Sequence, residues 1–182
     1  NTNSGYVSFA FDYLKADAIT VHPYLGQEAL QPFLEREDKC IFVLCRTSNK
    51  GAGEFQDLPV LVRDELSWMD PKDRLIPLYQ VLAYQVAVHW NIKWNCGLVV
   101  GATYPEELRE VREIARDVPI LIPGVGFQTK EKEPMEVTVQ KVVEAGRDSR
   151  GKGMIINSSR GIIFASSGPD FAEAAPQEII KL

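Results

Sequence analysis

The sequence has 182 residues, of which 45% are hydrophobic and 25% are charged. This composition is typical of a globular domain with a sizeable core, and it argues against a disordered chain or a coiled coil. The formal net charge is −5, so a broad positive surface for nucleic acid or an anionic membrane is not expected. No run approaches the roughly 18 apolar residues that span a bilayer, and the first residues do not resemble a secretory signal. We predict a single cytoplasmic domain covering residues 1–182.

The first half of the chain alternates helical periodicity with short β-branched runs, the order typical of parallel βα units. A first helix is predicted from apolar residues spaced i, i+3, i+4 and i+7, namely Val7, Ala10, Phe11 and Leu14. Strands are predicted at AITVHPYLG and CIFVLCRTS, with the short amphipathic helix QEALQPFLE between them. After a polar, glycine-rich loop, one face of a long helix is marked by Ile76, Tyr79, Leu82, Ala83, Val86 and Trp90.

The second half repeats the pattern. The strand CGLVVGA leads to a helix in which Thr103 and Glu106 have the spacing of a capping box. Its buried stripe is predicted to be Leu108, Val111, Ile114 and Ala115. The strand ILIPG, a helix over Pro134–Ala145 and a last strand GMIINSSRGIIFAS follow. About five parallel strands fit either an open doubly wound sheet or part of an eight-stranded barrel. Because Asn1 leads directly into a helix with no strand before it, the barrel is favoured.

The cysteines and histidines do not form a catalytic or metal-binding pattern. Cys40, Cys45 and Cys96 form no C-x-x-C pair, and two of them lie in or beside apolar runs that look like buried strands, so buried reduced thiols are predicted. His89 is predicted to be structural. His22, which ends the first strand, is the candidate to line a site. Two histidines and scattered carboxylates give no metal-ligand cluster.

The last two predicted strands end in loops suited to an anion. In both architectures, ligands bind at the carboxyl ends of the strands. After ILIP, Gly124 and Gly126 allow backbone N–H groups to approach a ligand, and Gln128 adds an amide. After GMIIN come Ser158–Arg160, and the planar guanidinium of arginine matches phosphate oxygens. Either loop alone is also explained by turn geometry, but their placement on consecutive strands predicts a phosphate site.

A third loop, RTSNKGAGEFQDL, follows the second strand. Thr47, Ser48 and Asn49 offer short polar side chains of the kind that contact the edge of a heterocycle. A solvent-exposed turn formed by Asn49, Gly51 and Gly53 explains the same residues, and both readings remain open.

Five blocks in the order ADAITVHPYLG, RTSNKGAGEFQDL, GLVVGATYPEEL, ILIPGVGFQ and INSSRGIIFAS resemble the orotidine 5′-monophosphate decarboxylase family, in the branch common among bacteria. The resemblance extends over essentially the whole chain. It implies a (β/α)8 TIM barrel, of which this chain supplies roughly strands four to eight. It also implies a homodimer with active sites at the subunit interface, and conversion of orotidine 5′-monophosphate to uridine 5′-monophosphate in pyrimidine synthesis. The family uses no cofactor and no metal.

The resemblance assigns roles to individual residues. The substrate-binding residues that it implies are Thr2, Ser48, Pro123, Gly124, Gly126, Gln128, Ser159 and Arg160. Ser48 would contact the pyrimidine, and Gln128, in a mobile loop that closes on the substrate, would bridge the phosphate and the base. Arg160 would hold the phosphate through its charge and Ser159 mainly through its amide N–H. Thr2 would reach across the dimer interface to the partner's substrate.

One departure concerns catalysis. The family's chemistry depends on an Asp-x-Lys-x-x-Asp motif, which does not occur between Asn1 and Leu182. The sequence is therefore expected to be the carboxyl-terminal portion of the enzyme, with its catalytic residues upstream. Lys50, Lys130 and Lys132 lie in loops and are predicted to be solvated rather than catalytic. Another phosphate-binding barrel enzyme, such as a sugar-phosphate decarboxylase, aldolase or epimerase, and a non-catalytic nucleotide-binding fragment remain as alternatives.

Overall fold

The structure is a computed structural model that describes residues 2–62, 75–125 and 135–180. Its strands are β1 (Ala18–Val21), β2 (Cys40–Arg46), β3 (Pro59–Leu61), β4 (Leu75–Pro77), β5 (Cys96–Val100), β6 (Ile120–Pro123) and β7 (Met154–Asn157). Its helices are α1 (Thr2–Val7), α2 (Gly26–Leu34), α3 (Gly53–Gln56), α4 (Leu78–Tyr84), α5 (Pro105–Ala115), α6 (Met135–Gly146), α7 (Ser159–Ile163) and α8 (Phe171–Ile180). Five strands form one sheet in the order β1-β2-β5-β6-β7, and every neighbouring pair is parallel.

The core lies on the central strands of this sheet and on the helix faces packed against it. β5 is buried along its whole length, whereas the outer strand β1 is only partly buried. The largest fully buried side chains include Phe11, Ile41, Leu98, Leu108, Ile120 and Ile122. Each such side chain contributes about 1.5–3 kcal/mol through its removal from water. Among the described residues, no helix is both long enough and apolar enough to cross a bilayer.

Ile76 belongs to a strand and not to the helix on which it was predicted. β3 and β4 pair as a two-stranded antiparallel ribbon, and Ile76 is the central residue of β4. A proline disfavours the α conformation in the residue before it, so Pro77 prevents Ile76 from being helical. Helix α4 accordingly begins at Leu78. Ile76 is nevertheless buried, whereas Leu75 before it is exposed.

Two helices widen into π-helical turns, which displaces one predicted core residue. α1 continues as a π-helix over Ser8–Tyr13, and α4 continues as one over Gln85–Trp90. The N–H of Leu14 bonds to the carbonyl of Phe9, five residues earlier, at 2.9 Å. A π turn holds more residues than an α turn, so the spacing that placed Leu14 on the buried face no longer applies. Leu14 is 56% exposed and its prediction as a core residue was wrong, whereas the other three residues of that face are buried.

The predicted capping box of α5 is also wrong. Pro105 is the first residue of α5, which makes Tyr104 the N-cap, and no side chain bonds to the free N–H groups there. Proline is favoured at the first helical position, and this moves the start one residue beyond the position that a Thr103 cap requires. The Thr103 hydroxyl is buried, and no residue in the described part of the chain forms a hydrogen bond with it. The predicted surface pair of Glu106 and Arg109 is present.

A buried arginine joins several elements at the amino edge of the sheet. Arg112, on α5, is 8% exposed. Its guanidinium donates to four carbonyls, those of Gly146 at 2.8 Å, Val118 at 2.7 Å, Gly153 at 2.8 Å and Arg116. These carbonyls belong to the end of α6 and to the turns that lead into β6 and β7. Burial lowers the pKa of Arg112, but a guanidinium stays charged at neutral pH.

Asp148 closes the turn before β7. Its side chain is fully buried. It accepts from the backbone N–H of Lys152 at 2.7 Å, from that of Arg150 at 2.9 Å and from the Arg150 guanidinium at 2.7 Å. The Lys152 N–H, followed by the Arg150 guanidinium, stabilises the carboxylate and lowers the pKa of Asp148 to about 2.

Replacing Arg112 with Leu should destabilise the fold strongly. The substitution leaves buried carbonyls without their donor, and we expect the free energy of unfolding to fall by about 2–4 kcal/mol. Urea denaturation followed by circular dichroism measures the change. Arg109→Leu is the matched control, because Arg109 lies on the same helix in an exposed pair with Glu106 and should change stability by less than about 0.5 kcal/mol. Equal effects of the two substitutions would contradict the role of Arg112.

Asp148 should make folding sensitive to acid. Its pKa falls from an ordinary 3.8 to about 2 in the folded protein. The ionised carboxylate therefore stabilises the fold above about pH 4, and this stabilisation is lost as the pH falls through about 2. Asp148→Asn cannot titrate, so it should lower the urea midpoint at pH 7 and flatten the dependence of that midpoint on pH below about 4. Denaturation curves at stepped pH test this, and an unchanged slope in the variant would rule it out.

Candidate functional site

The carboxyl ends of the parallel strands lie along one edge of the sheet. The hydrogen bonds between strands continue past the strands there. The N–H of Gly101 bonds to the carbonyl of Arg46 at 2.8 Å, and the N–H of Ala102 bonds to that of Pro123 at 2.9 Å. Pro123 in turn pairs with Asn157, the last residue of β7. β2, β5, β6 and β7 therefore end level with one another, and their loops leave from the same edge.

The loops after β6 and β7 are joined by a buried hydrogen bond. The Ser158 hydroxyl donates to the carbonyl of Val125 at 2.8 Å, and both residues are buried. Between β6 and Val125, Gly124 has a φ of +96°, a conformation that favours glycine. Gly161 lies on the other side of Ser158, where an added Cβ would be 2.8 Å from the Ser158 hydroxyl. The structure thus places Gly124 and Val125, the described start of the loop after β6, beside Ser158 at the start of the loop after β7.

Ser159 and Arg160 begin a helix. α7 starts directly after Ser158, so the prediction of a strand running through GIIFAS was wrong. Beyond Asn157, β6 offers β7 no further partner, because the chain turns away at Gly124. Ser159 and Arg160 are exposed. The Asn157 amide donates to the Ser159 hydroxyl at 3.4 Å, so Ser159 stays at the strand end.

The loop after β2 packs against the end of β5. A Cβ on Gly101 would lie 2.7 Å from the backbone nitrogen of Ser48 and 2.6 Å from its Cβ. Only a residue without a side chain permits this approach. Ser48 is partly buried at the same edge as Ser158, with the ends of β5 and β6 between them.

Arg46 was not predicted to take part in a site, yet it organises this loop. It is the last residue of β2 and is 2% exposed. Its guanidinium pairs with Asp57 at 2.7 and 2.9 Å, donates to the carbonyl of Thr47 at 2.7 Å and lies 4.1 Å from the centroid of the Tyr104 ring. The sequence does contain a signal for this role of Arg46. A charged residue that ends an otherwise apolar strand is expected to be buried and therefore to need a partner.

Thr2 and His22 lie near β1, the outer strand at the far end of the sheet from β7. α1 runs back to β1 through a short turn, so Thr2, at the start of α1, is near the carboxyl edge, and it is exposed. His22 lines a cavity of about 430 Å³ together with Tyr6 and Thr20. β1 and β7 are the two outer strands of the sheet, so the chain does not bring Thr2 together with Arg160.

Some predicted residues lie outside the part of the chain that the structure describes. These are Gly126, Gln128, Lys130 and Lys132. Pro123, at the end of β6, is partly buried, and Lys50, in the loop after β2, is exposed. The roles predicted for the four residues outside the described ranges stay predictions.

The cysteines do not supply a nucleophile. Cys45 and Cys96 are buried and free, as predicted, and burial raises the pKa of each thiol to about 12. Cys40 is partly buried and also free. A thiol with so high a pKa stays protonated at neutral pH, and only the thiolate is a strong nucleophile. Within residues 2–62, 75–125 and 135–180, no cluster of three or more His, Cys, Asp or Glu side chains is placed to hold a metal ion.

A family model described as the orotidine 5′-phosphate decarboxylase / HUMPS family matches residues 1–175. The chain belongs to this family. Two curated relatives carry the name orotidine 5′-phosphate decarboxylase. The one from Ralstonia nicotianae is 45% identical over 96% of this chain, and the one from a Janthinobacterium species is 46% identical over 99% of it. The matched regions are 57% and 59% of those relatives, so the chain spans less than two thirds of their length.

Solved structures of the family share the fold. The structure of Leishmania donovani OMP decarboxylase superposes with a TM-score of 0.76 at 37% identity, covering 97% of this chain and 60% of that one. An OMP decarboxylase from Methanocaldococcus jannaschii, at 21% identity, superposes with a TM-score of 0.63 and shares the fold. These neighbours are TIM barrels, so the five parallel strands are part of a (β/α)8 barrel and the predicted fold class is confirmed.

Replacing Gly101 with Ala should displace the Ser48 loop. The added methyl group would lie 2.7 Å from the Ser48 backbone nitrogen, so the backbone must move and we expect a loss of about 1–3 kcal/mol of stability. Gly5→Ala is the control, because no atom lies within 4 Å of a Cβ on Gly5 and alanine favours helix α1. Urea denaturation compares the two variants. A Gly101→Ala protein as stable as the wild type would contradict the close packing of Ser48.

Proposed function

We propose that the full-length protein decarboxylates orotidine 5′-monophosphate to uridine 5′-monophosphate in de novo pyrimidine biosynthesis, without a cofactor or a metal. This chain, as one domain of residues 1–182, would supply contacts to the phosphate and to the base. The names of the relatives support the reaction. The observation that carries the site is the hydrogen bond from Ser158 to Val125, which holds two neighbouring strand-end loops together. Many (β/α)8 enzymes bind phosphate between the loops that follow their last two strands.

The phosphate would lie between the loops after β6 and β7. Arg160 offers a planar set of N–H donors that matches two phosphate oxygens at once. Gly124 turns the backbone so that no side chain shields its neighbouring N–H groups, and the Ser159 amide would add another donor. The loop Pro123–Gln128 would close over the substrate, with Gln128 bridging the phosphate and the base, as the family resemblance implies.

The base would be contacted by Ser48. Decarboxylation leaves a carbanion at C6 of the pyrimidine, which has no conventional electron sink, so a fixed cation and a proton donor are required there. In the family the Asp-x-Lys-x-x-Asp motif supplies both, and this motif does not occur in the 182 residues. The residues of this chain would instead contribute binding remote from C6. Phosphate binding would close the loop and assemble the site, and would therefore raise the rate as well as the affinity.

A cytoplasmic homodimer is part of the proposal. Thr2 is exposed at the start of α1, which precedes the outer strand β1, whereas the phosphate loops follow β6 and the other outer strand, β7. Such a position suits a contact with the substrate of a partner subunit better than a contact with the chain's own substrate. Sedimentation of the full-length protein, with and without uridine 5′-monophosphate, measures the oligomeric state.

The reaction is tested with the full-length protein and orotidine 5′-monophosphate, by following the absorbance change on formation of uridine 5′-monophosphate. A panel of sugar phosphates should be assayed in parallel, because the sequence leaves open another phosphate-binding barrel enzyme that acts on a sugar phosphate. Turnover of a sugar phosphate without turnover of the nucleotide would replace the proposal by a sugar-phosphate decarboxylase, aldolase or epimerase. Binding of uridine 5′-monophosphate without turnover would indicate a non-catalytic nucleotide-binding protein.

Replacing Arg160 with Ala should lower kcat/KM for orotidine 5′-monophosphate by the equivalent of about 2–5 kcal/mol, because a charged contact to the phosphate is lost. Both kcat and KM should change if phosphate binding drives closure of the loop. Arg147→Ala is the control, since it removes the same charge from an exposed position at the opposite edge of the sheet, after α6. A loss below about tenfold in Arg160→Ala would contradict the proposed phosphate contact.

A further inference from the structure

Arg46 is buried at the carboxyl edge, directly before the residues that would contact the base. We propose that Arg46 is a positioning residue: through Asp57 and Tyr104 it holds Thr47 and Ser48 where they select a pyrimidine nucleotide over a ligand that lacks the base. This inference rests on the proposed function, because it deepens the role of Ser48. The three side chains of Arg46, Asp57 and Tyr104 are called the Arg46 clamp below.

The Arg46 clamp joins three separate stretches of chain. Arg46 ends β2, Asp57 follows α3, and Tyr104 is the N-cap of α5. One terminal nitrogen of the Arg46 guanidinium donates a hydrogen bond of 2.9 Å to one carboxylate oxygen of Asp57, and Nε lies 2.7 Å from the other oxygen as an ion-pair contact. The planar guanidinium places two nitrogens against one carboxylate, which lysine cannot do. The guanidinium carbon lies 4.1 Å from the centre of the Tyr104 ring, within the range of a cation–π interaction.

The clamp acts directly on the backbone beside Ser48. A further nitrogen of Arg46 donates to the Thr47 carbonyl at 2.7 Å, and this carbonyl belongs to the peptide that joins Thr47 to Ser48. The N–H of Thr47 donates to the Gln56 side chain at 2.8 Å. The backbone of Ser48 is in turn pressed against Gly101. The Thr47–Ser48 stretch is therefore fixed by contacts to Arg46, Gln56 and Gly101, and Arg46 supplies the contact to the carbonyl of the Thr47–Ser48 peptide.

Burial is costly for the arginine, which argues for a role beyond packing. The Arg46 side chain is 3% exposed, whereas that of Asp57 is 42% exposed. Apolar residues of similar volume often stabilise a protein at least as well as a buried ion pair does. An apolar residue would not, however, fix the orientation of the Thr47 carbonyl. The planar guanidinium, paired with Asp57 and stacked on Tyr104, can point one N–H at that carbonyl and hold it there.

The test compares the affinities of two ligands for the full-length protein by titration calorimetry: uridine 5′-monophosphate, and ribose 5-phosphate, which has the phosphate but no base. The variants are Arg46→Lys, which keeps the charge, and Asp57→Asn, which removes the carboxylate partner. Tyr104→Leu removes the ring, and its matched control Tyr104→Phe keeps the face on which the guanidinium stacks. The readout is the ratio of the two dissociation constants for each protein, which does not depend on the fraction of protein that is folded.

The wild type should bind the nucleotide more tightly than the sugar phosphate. Arg46→Lys, Asp57→Asn and Tyr104→Leu should each reduce this preference by about fivefold or more, as expected for one misplaced hydrogen bond to the base, with the affinity for ribose 5-phosphate unchanged. Tyr104→Phe should keep the wild-type ratio. If the wild type shows the preference and the three variants keep it, the inference on Arg46 is wrong. If the wild type shows no preference, the proposed nucleotide function fails, and the inference with it.

Discussion

A buried guanidinium at the amino edge of the sheet joins the turns from which β6 and β7 begin. Arg112 donates to the carbonyls of Val118 and Gly153, which lie in the turns immediately before β6 and β7. The two strands therefore start level, and their register runs from Ile120 opposite Met154 to Pro123 opposite Asn157. Both strands have four residues, so strands that start level also end level. This register brings Ser158, the residue after β7, beside the residues that follow β6, where its hydroxyl donates to the Val125 carbonyl.

Arg112 and Arg46, both buried, serve different purposes at the two edges of the sheet. Arg112 donates to four backbone carbonyls, and it joins the turns at the amino edge of the sheet into one unit. Arg46 has a partly exposed carboxylate, a ring and one carbonyl as partners, and it orients one loop above the sheet. Loops that bind ligands have to be positioned by a rigid scaffold. At the amino edge, Arg112 holds the backbone of the turns together. At the carboxyl edge, Arg46 uses its side-chain partners to orient the Thr47–Ser48 loop.

The alternation of strands and helices was predictable from the sequence, because buried parallel strands are continuous apolar runs and their covering helices are amphipathic. The errors at Leu14, Ile76 and Thr103 have local causes: a π turn changes the helical period, and a proline moves the start of a helix. For the candidate site, the sequence predicted which strand ends carry it but not which side chains contact one another there. The partners of Arg46 and Ser158 lie 11 and 33 residues away in the chain, and their choice depends on tertiary packing that no local pattern records.

The spacing of the loops constrains the kind of ligand that contacts them all. Ser48 follows β2 and Arg160 follows β7, and β5 and β6 lie between these strands. Three strand spacings of about 4.8 Å amount to roughly 14 Å along the sheet, and somewhat less across the interior because a barrel wall is curved. A ligand held by both loops therefore needs two separate binding ends joined by a spacer. A nucleotide has this form, with a phosphate, a ribose and a base in line, whereas a short sugar phosphate would reach the phosphate loops and leave Ser48 without a contact. The same spacing separates the contacts of Arg46 from the phosphate loops, because Asp57, Thr47 and Tyr104 lie in the stretches of chain that follow β2 and β5.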